Sequence, residues 1–368
     1  ANPMQLGIIG LTRSGKTTVF NAVTRGSAQV GAYSSSSQPN IGVVNVPDDR
    51  VDALARLFKP KKVTYATIQY VDFPAAGESF GKGEGPAGKF INDLARMDAL
   101  IHVVRAFRDD AVPHPEGSVD PDRDIQVMDL ELAFADLAII ERRLQRLETE
   151  IRSMKAGERE RPLRLKALLE RLKAGLEADT PIRAQELSDE DRQLLEGTQF
   201  LTAKPILLLV NIGEEDLPRR EELETAYRAK YAGPGRDVAV MAGKFEMDLN
   251  ELSEEEAADF RAAAGVSESG MASAIRASYR LLGLISFLTA GPDECRAWTI
   301  PAGATAPEAA GKIHSDLQRG FIRAEVIRCD DLLAAGSEAE AKKRGLLRTE
   351  GKQYVVQDGD VLHILFNV

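Results

Sequence analysis

The stretch GLTRSGKT at residues 10–17 constrains the fold most strongly, because two glycines separated by four residues precede Lys16 and Thr17. An apolar run at 6–9 comes before it, and apolar residues at helical spacing follow it over 16–23. A strand, a glycine-rich loop and a helix in this order predict a phosphate-binding loop. The alternative interpretation is a glycine turn that carries a surface lysine.

The residue types of this loop suit phosphate binding. Gly10 and Gly15 permit backbone conformations that a side chain would block, so that N–H groups and a helix N-terminus can point at phosphate oxygens. Lys16 is expected to neutralise the terminal phosphates from a solvent-facing position, and Thr17 to complete the oxygen shell of Mg²⁺. The predicted nucleotide contacts of this loop are Thr12, Arg13, Ser14, Gly15, Lys16, Thr17 and Thr18.

Four further apolar runs, at 67–71, 99–104, 205–210 and 238–241, predict an α/β fold with a parallel-type sheet and flanking helices. Asp72 follows the first of these runs, at the sheet edge where such folds hold magnesium through water. We therefore predict Lys16 and Asp72 as catalytic residues, and Thr17 and Asp72 as magnesium ligands.

Between the runs at 99–104 and 205–210 the sequence changes to a heptad pattern. Two sets of apolar residues repeat every seven positions: Leu130, Leu137, Leu144 and Ile151, and Ala133, Ile140, Leu147 and Met154. After a break at 157–162, apolar residues at 165, 169, 172 and 176 predict a second arm that folds back. Residues 141–175 contain eleven Lys or Arg against six Asp or Glu, so this hairpin is either a solvated coiled coil or a basic finger for RNA or the ribosome.

The carboxy-terminal part predicts a small mixed sheet around one helix. Strands are expected at 295–300 and 321–327, a helix at 307–317, and two last strands joined at 358–360.

Composition excludes several classes of protein. With 43% hydrophobic and 28% charged residues, and no apolar run long enough to cross a bilayer, the sequence predicts a cytoplasmic protein without a membrane partner. Cys295 and Cys329 are expected to be reduced and structural, and the four histidines lack the spacing of a zinc site. The net charge of -10 argues against indiscriminate nucleic-acid binding but permits a local basic patch.

Long stretches of the chain resemble the Obg-like ATPases of the YchF type, essentially from end to end. The stretches that carry the resemblance are GLTRSGKTT, QPNIGVVNVPDDRVDALARL, GKGEGPAG, NIGE, SYRLLGLISFLTAG, RAWTIPAGATAPEAAGKIHSDLQRGFIRAEVI and EGKQYVVQDGDVLHILFNV. The resemblance implies a Ras-like P-loop domain at 1–124 and 200–285, a coiled-coil insertion at 125–199, and a β-grasp (TGS) domain at 286–368. It also implies a preference for ATP and an association with ribosomes and stress responses.

The chain departs from the family's pattern at three points. Thr12, Arg13 and Ser14 stand where the family's phosphate loop has Pro-Asn-Val, a change that main-chain donors should survive. The first switch offers serines at 34–37 where a threonine normally binds magnesium, and the second reads Asp72-Phe73-Pro74-Ala75 in place of Asp-x-x-Gly. We therefore expect this chain to bind nucleotide better than it switches.

The residues that select the base also differ from those of ordinary GTPases. Asn211-Ile212-Gly213-Glu214 stands where such proteins have Asn-Lys-x-Asp, so the guanine contacts are misplaced, at a cost of about 1–3 kcal/mol. Asn211 either reads the edge of adenine or only ties neighbouring loops together. Ala242 and Gly243, directly after the fifth strand, complete the predicted nucleotide site.

Hydrolysis is expected to be slow. Ala76 stands where Ras-like proteins have the glutamine that orients the attacking water. The sequence therefore predicts a slow magnesium-dependent ATPase switch that acts on the ribosome, with the coiled coil and the TGS domain as contact surfaces. The alternatives are a nucleotide-binding adaptor with little or no hydrolysis, a GTP-preferring GTPase, and a small-molecule kinase, for which no acceptor pocket is evident.

Overall fold

The structure is a computed structural model that describes residues 3–24, 40–73 and 86–367. Three stretches named above lie outside the described residues: the serines at 34–37, the second-switch residues 74–76, and positions 77–85 of the glycine-rich segment. The described residues form twelve strands and fourteen α-helices.

The strands are β1 (Met4–Ile9), β2 (Asn40–Asn45), β3 (Lys62–Thr64), β4 (Thr67–Asp72), β5 (Ala99–Arg105), β6 (Ile206–Asn211), β7 (Arg236–Met241), β8 (Leu284–Ala290), β9 (Glu294–Pro301), β10 (Phe321–Arg328), β11 (Arg348–Glu350) and β12 (Asp360–Phe366). The helices are α1 (Lys16–Thr24), α2 (Asp49–Phe58), α3 (Pro86–Ala95), α4 (Pro121–Ser153), α5 (Glu160–Glu177), α6 (Asp189–Leu194), α7 (Arg220–Tyr231), α8 (Gly243–Leu249), α9 (Glu254–Ala263), α10 (Gly270–Leu282), α11 (Ala306–Ile313), α12 (Ser315–Arg319), α13 (Cys329–Ala335) and α14 (Glu338–Lys343).

The first sheet has the order β2-β4-β1-β5-β6-β7, and β1, β5, β6 and β7 pair in parallel. Every residue of β5 and β6 is buried, as expected of strands covered on both faces. Because parallel strands end at the same edge, the loops that follow β1 and β6 lie on one side of the sheet. The predicted α/β fold is confirmed.

The chain divides into two compact units. Among the described residues, the larger unit contains 5–24, 40–42, 70–73 and 86–277, and the smaller unit contains 3–4, 43–69 and 278–367.

This division differs from the predicted domains. Residues 43–69, which we assigned to the nucleotide domain, cluster with the carboxy-terminal part, and the insertion at 125–199 belongs to the larger unit. The first difference arises because β3 pairs in parallel with β9, at the edge of a second sheet with the order β11-β10-β12-β8-β9-β3. Helix α2, whose Val51 and Leu54 are buried, packs on β8 and β9.

The predicted hairpin is present as α4 and α5. Ile140 and Leu147 of α4 are buried in one cluster with four leucines of α5, namely Leu168, Leu169, Leu172 and Leu176. The heptad pattern begins later than predicted, because Leu130 is 47% exposed.

The carboxy-terminal hairpin predicted at 358–360 is wrong, since β12 is the only strand after β11 in the part of the chain that the structure describes. The residues before the turn bond elsewhere: Val356 N donates to Ala304 O at 2.9 Å, and Ala306 N donates to Tyr354 O at 2.9 Å. The predicted helix at 307–317 is split into α11 and α12 at His314, whose ring accepts a hydrogen bond from Asp316 N.

Two negative expectations can be compared with the structure. Cys295 and Cys329 are both buried and free, so the prediction of reduced, structural thiols agrees with the structure. Within 3–24, 40–73 and 86–367, no helix has the length and apolar character needed to cross a membrane.

Candidate functional site

The loop at residues 10–17 joins β1 to α1 in a conformation that depends on its glycines. Arg13 and Gly15 have φ angles of 64° and 84°, in the left-handed region, a conformation found in loops whose main-chain N–H groups form an anion-binding concavity. A Cβ atom at Gly15 would collide with the side-chain amide nitrogen of Asn211, and one at Gly10 would lie 2.6 Å from Ser14 Oγ. The sequence motif therefore corresponds to a loop that only glycine permits at these two positions.

Lys16 lies at the first position of α1, and its side chain is turned inward. Its ammonium lies 2.5 Å from Asp72 Oδ1 and donates to Phe73 O at 2.5 Å. Both partners are buried, with exposed fractions of 8% for Lys16 and 3% for Asp72. The expectation of a solvent-facing lysine is therefore wrong, because the carboxylate at the end of β4 holds the ammonium beneath the loop.

The pKa of Asp72 reflects two opposing effects. Burial raises this pKa above its ordinary value, while the charge and hydrogen bond of Lys16 lower it. The raised pKa indicates that Lys16 alone does not fully compensate the buried carboxylate.

The two predicted magnesium ligands are neighbours. Thr17 Oγ1 donates to Asp72 Oδ2 at 3.4 Å, and the buried Ser14 Oγ has no hydrogen-bond partner among the described residues. These oxygens fit Mg²⁺, which accepts one or two protein oxygens and takes its remaining ligands from phosphate and water. No cluster of three or more His, Cys, Asp or Glu suited to a metal occurs in the described ranges.

Asn211 joins the loop to the segment after β7. Its Nδ2 donates to Ser14 O at 3.2 Å, and its Oδ1 accepts from Gly243 N at 2.9 Å. Both polar atoms of the amide are therefore engaged by main chain, which favours the tying role over direct reading of adenine. Ala242 is buried, and Gly243 begins α8.

The remaining predicted contacts are more peripheral. Glu214 is exposed at the start of a 3-10 helix, Glu214–Arg219, that follows the loop after β6. Thr12 is exposed and Thr18 is half-buried on α1. The structure thus brings together Ser14, Gly15, Lys16, Thr17, Asp72, Asn211 and Gly243, and leaves Thr12 and Glu214 at the surface.

Two residues that support the loop were missed by sequence reasoning. Arg105, the last residue of β5, is 2% exposed and donates to Arg13 O at 3.4 Å and to Val112 O at 2.5 Å. Its guanidinium lies 4.4 Å from the ring centre of Phe107, and that ring borders Gly15. The available signal was a single arginine at the end of a strand that is apolar apart from His102.

Comparisons with known proteins identify relatives of this chain. A family model described as 50S ribosome-binding GTPase matches residues 5–134, and a model of the carboxy-terminal region of YchF GTPases, described as a protein of unknown function, matches 284–367. The chain is 42% identical over 365 residues to the ribosome-binding ATPase YchF of Bacillus subtilis, which covers 98% of this chain and 99% of that protein. It is 40% identical over 363 residues to the protein of the same name from Escherichia coli O157:H7, with the same coverage.

A solved structure is similar over the whole length. The YchF GTPase of Schizosaccharomyces pombe superposes with a TM-score of 0.83 at 32% identity, and the match covers 99% of this chain and 98% of that one. A GTP-binding protein from Pyrococcus horikoshii, with a TM-score of 0.57 at 19% identity, shares the fold.

Proposed function

The chain belongs to the YchF family, and from this premise we propose that it is a slow, magnesium-dependent nucleoside triphosphatase that prefers ATP to GTP and acts on the ribosome. The buried pair of Lys16 and Asp72, beneath a loop with left-handed Arg13 and Gly15, carries the proposal. Lys16 and Asp72 neutralise each other at 2.5 Å. A magnesium triphosphate carries the complementary charges, an anionic phosphate for the lysine and a cation for the carboxylate. The ligand would satisfy both, because phosphate would bind Lys16 while magnesium would face Asp72.

Each residue of the site has its own task in this proposal. The N–H groups at the start of α1 have no partner within the helix and donate to phosphate oxygens. Lys16 moves its ammonium from Asp72 to the terminal phosphates. Thr17 through its hydroxyl, and Asp72 through a water molecule, would hold magnesium, which when bound neutralises charge on the phosphate oxygens.

The proposed preference for ATP depends on the loop after β6. Ile212 is buried and has no ammonium to cover a guanine ring, and the Glu214 carboxylate is exposed. The half-buried ring of Phe107, which lies beside Gly15 and against the Arg105 guanidinium, is apolar and would not distinguish the two purines. The bacterial relatives are named ATPases and the yeast structure a GTPase, so competition between the two nucleotides tests this part directly.

Slow hydrolysis follows from the second switch. Ala76, outside the described residues, has no group that could orient water. Protein groups accelerate phosphoryl transfer mainly by positioning and charge neutralisation, so a chain without this residue depends on a partner.

The ribosome is proposed as that partner because of the relatives' names and the charge of the hairpin. Six of its eleven cations bind within the chain: four pair with carboxylates, Arg143 donates to Thr198, and Arg159 donates to Met154 O. The other five are exposed, and none forms an ion pair in the part of the chain that the structure describes. These unpaired cations are Arg142, Arg146, Arg152, Lys155 and Arg161.

Their exposure favours the basic finger over the solvated coiled coil, since a flank neutralised by ion pairs would leave few charges free for phosphate. The carboxy-terminal region is a weaker candidate for general attraction to RNA. Residues 291–368 contain ten basic and twelve acidic residues, so this region would contact protein or read the shape of RNA.

A single-turnover assay tests the proposal. Hydrolysis of ATP with magnesium should be slow for the chain alone and rise roughly tenfold or more with ribosomes. The Lys16→Ala variant is the control, since it should show no turnover under either condition.

The second candidate is a nucleotide-binding adaptor without meaningful hydrolysis. Pro74 and Ala75 in the second switch favour it, because the proline stiffens the hinge. Tight ATP binding with no turnover, with or without ribosomes, would select the adaptor and reject the ATPase.

A further inference from the structure

A cavity of about 700 Å³ lies at the base of the hairpin, within the larger unit. Its volume is within the range of about 300–1,000 Å³ that small-molecule sites occupy. One wall is apolar and is formed by Leu130 and Ala133 of α4 and Leu176 of α5. Opposite elements contribute Arg183, Tyr231 and the loop at 232–234.

This cavity is separate from the candidate nucleotide site. Arg236, the first residue of β7, lines it, so it lies at the amino-terminal edge of the parallel strands. The loop at 10–17 follows the carboxyl end of β1, at the opposite edge. None of the residues that line the cavity belongs to the predicted nucleotide site.

Most charges around the cavity are compensated. Arg236 pairs with Asp129 at 3.1 Å, and Lys230 pairs with Asp122 at 3.0 Å, while the Tyr231 hydroxyl also bonds to Asp122. Asp179, at the end of α5, is exposed to water.

Arg183 differs from these neighbours. Its Nε donates to Lys204 O at 3.2 Å, and it forms no ion pair with any carboxylate among the described residues. The pKa of Arg183 is lowered to about 10, chiefly by burial and to a smaller extent by the charge of Arg236, while Asp129 and Asp136 oppose the shift. The guanidinium is therefore still charged at neutral pH, yet it is partly desolvated and lacks a direct anionic partner.

We propose that this cavity binds a small amphipathic anion: one carboxylate, sulfonate or phosphate group on an apolar or aromatic body. The anionic group would pair with Arg183, whose planar guanidinium can donate two parallel hydrogen bonds. The body would pack against Leu130, Ala133 and Leu176 and against the ring of Tyr231. Such a ligand would contact both arms of the hairpin at its base.

The test uses the full chain and two fluorescent probes that differ by one charge. 8-Anilinonaphthalene-1-sulfonate carries the anion on an aromatic body, and N-phenyl-1-naphthylamine has the same body without it. The chain should bind the sulfonate roughly tenfold more tightly than the neutral probe, and Arg183→Gln should abolish this preference. Arg192→Gln, an exposed arginine on α6 outside the cavity, is the matched control and should change neither affinity.

A second variant keeps the test decisive if Arg183→Gln fails to fold. Gly233 lies at the cavity wall with a φ outside the left-handed region, and a Cβ there would meet no atom within 4 Å, so Gly233→Trp should fold and narrow the cavity. Its melting temperature should match that of the parent while both probes bind more weakly. Equal affinity for the two probes in the parent chain, or unchanged binding by a folded Gly233→Trp variant, would overturn the proposal.

Discussion

The loop at 10–17 and the hairpin of α4 and α5 both carry positive charge, but they hold it in opposite ways. Lys16 is buried, and its ammonium already lies 2.5 Å from Asp72. The five unpaired cations of the hairpin are exposed and lack carboxylate partners in the described ranges. A ligand of the loop must therefore replace an internal partner, whereas a ligand of the hairpin meets cations that only water and salt compete for.

Because of this difference, the buried pair makes the loop selective for its ligand, whereas the exposed cations of the hairpin provide long-range attraction. Salt screens a buried ion pair only weakly. The loop therefore binds tightly only a ligand that supplies both an anion for Lys16 and a cation for Asp72. Exposed cations act over about 10 Å at 0.1 M salt, and they attract any dense array of phosphates. The loop thus suits a defined small ligand, and the hairpin suits a large polyanion.

Removing the buried cation of the loop should have the largest effect. Lys16→Ala removes the cation for the terminal phosphates, and we expect ATP affinity to fall roughly a hundredfold or more. It also leaves Asp72 buried without its partner, so the free energy of unfolding should fall by about 3 kcal/mol. Calorimetry and denaturant unfolding measure the two effects.

The double variant Lys16→Ala/Asp72→Asn separates these effects, because it removes the buried charge and should regain stability without regaining nucleotide. The pH dependence gives a second check. In Lys16→Ala the effect of burial on the pKa of Asp72 is unopposed by Lys16, so the folded state retains a proton that the unfolded state loses. Stability should therefore fall as pH rises above about 4, and the double variant should not show this. A Lys16→Ala protein that binds ATP like the parent would contradict the loop assignment.

Reversing exposed charges of the hairpin tests whether these cations attract the ribosome. The triple change Arg142→Glu, Arg146→Glu and Arg152→Glu should weaken co-sedimentation with ribosomes roughly tenfold at about 0.1 M salt and flatten its salt dependence. Arg143 is left unchanged because it donates to Thr198 within the chain. ATP affinity should be unaffected, since these residues do not belong to the loop.

A matched control places the same charge change on the smaller unit. Lys342, Lys343 and Lys352 are exposed, and their replacement by Glu should leave co-sedimentation nearly unchanged. If the hairpin triple variant sediments like the parent and the lysine variant does not, the hairpin is a solvated coiled coil and the ribosome contact lies on the smaller unit.

The two regions also differ in how far the sequence predicted them. The loop follows from local chemistry, since Gly10, Gly15, Lys16 and Thr17 lie within eight residues and need no distant information. The hairpin follows from a repeat that a coiled coil requires. Pairings between distant residues were not predictable: the ammonium of Lys16 is buried by a carboxylate 56 residues away, and β3 joins β9 across more than two hundred residues.

Substitutions of Asn211 test whether this residue holds the loop in place or reads the base. If the residue ties the loop to Gly243, Asn211→Ala leaves a buried carbonyl and a buried N–H without partners, and ATP and GTP should both bind about tenfold more weakly. If it reads adenine, ATP alone should lose affinity. Asn211→Asp is the matched control, since it can keep the bond from Gly243 N and loses the bond to Ser14 O. Titration with each nucleotide distinguishes the two roles.

The smallest expected effect is on the ratio of the affinities for ATP and GTP. Neither the buried pair nor the charges of the hairpin can distinguish the two purines. In the proposed site Lys16 and Asp72 would contact groups that ATP and GTP share, so discrimination would fall to Ile212 and to the exposed Glu214, whose contact with the base water would compete for. We therefore expect ATP to be preferred by a modest factor, about three- to tenfold, when the two compete in the presence of magnesium. Glu214→Asp with Ile212→Lys restores the residue types of a guanine-binding loop, and this double variant should shift the preference towards GTP while the total affinity stays governed by Lys16. A clear preference of the parent chain for GTP would mean that guanine is held by groups other than these two, and the loop after β6 would then not select the base.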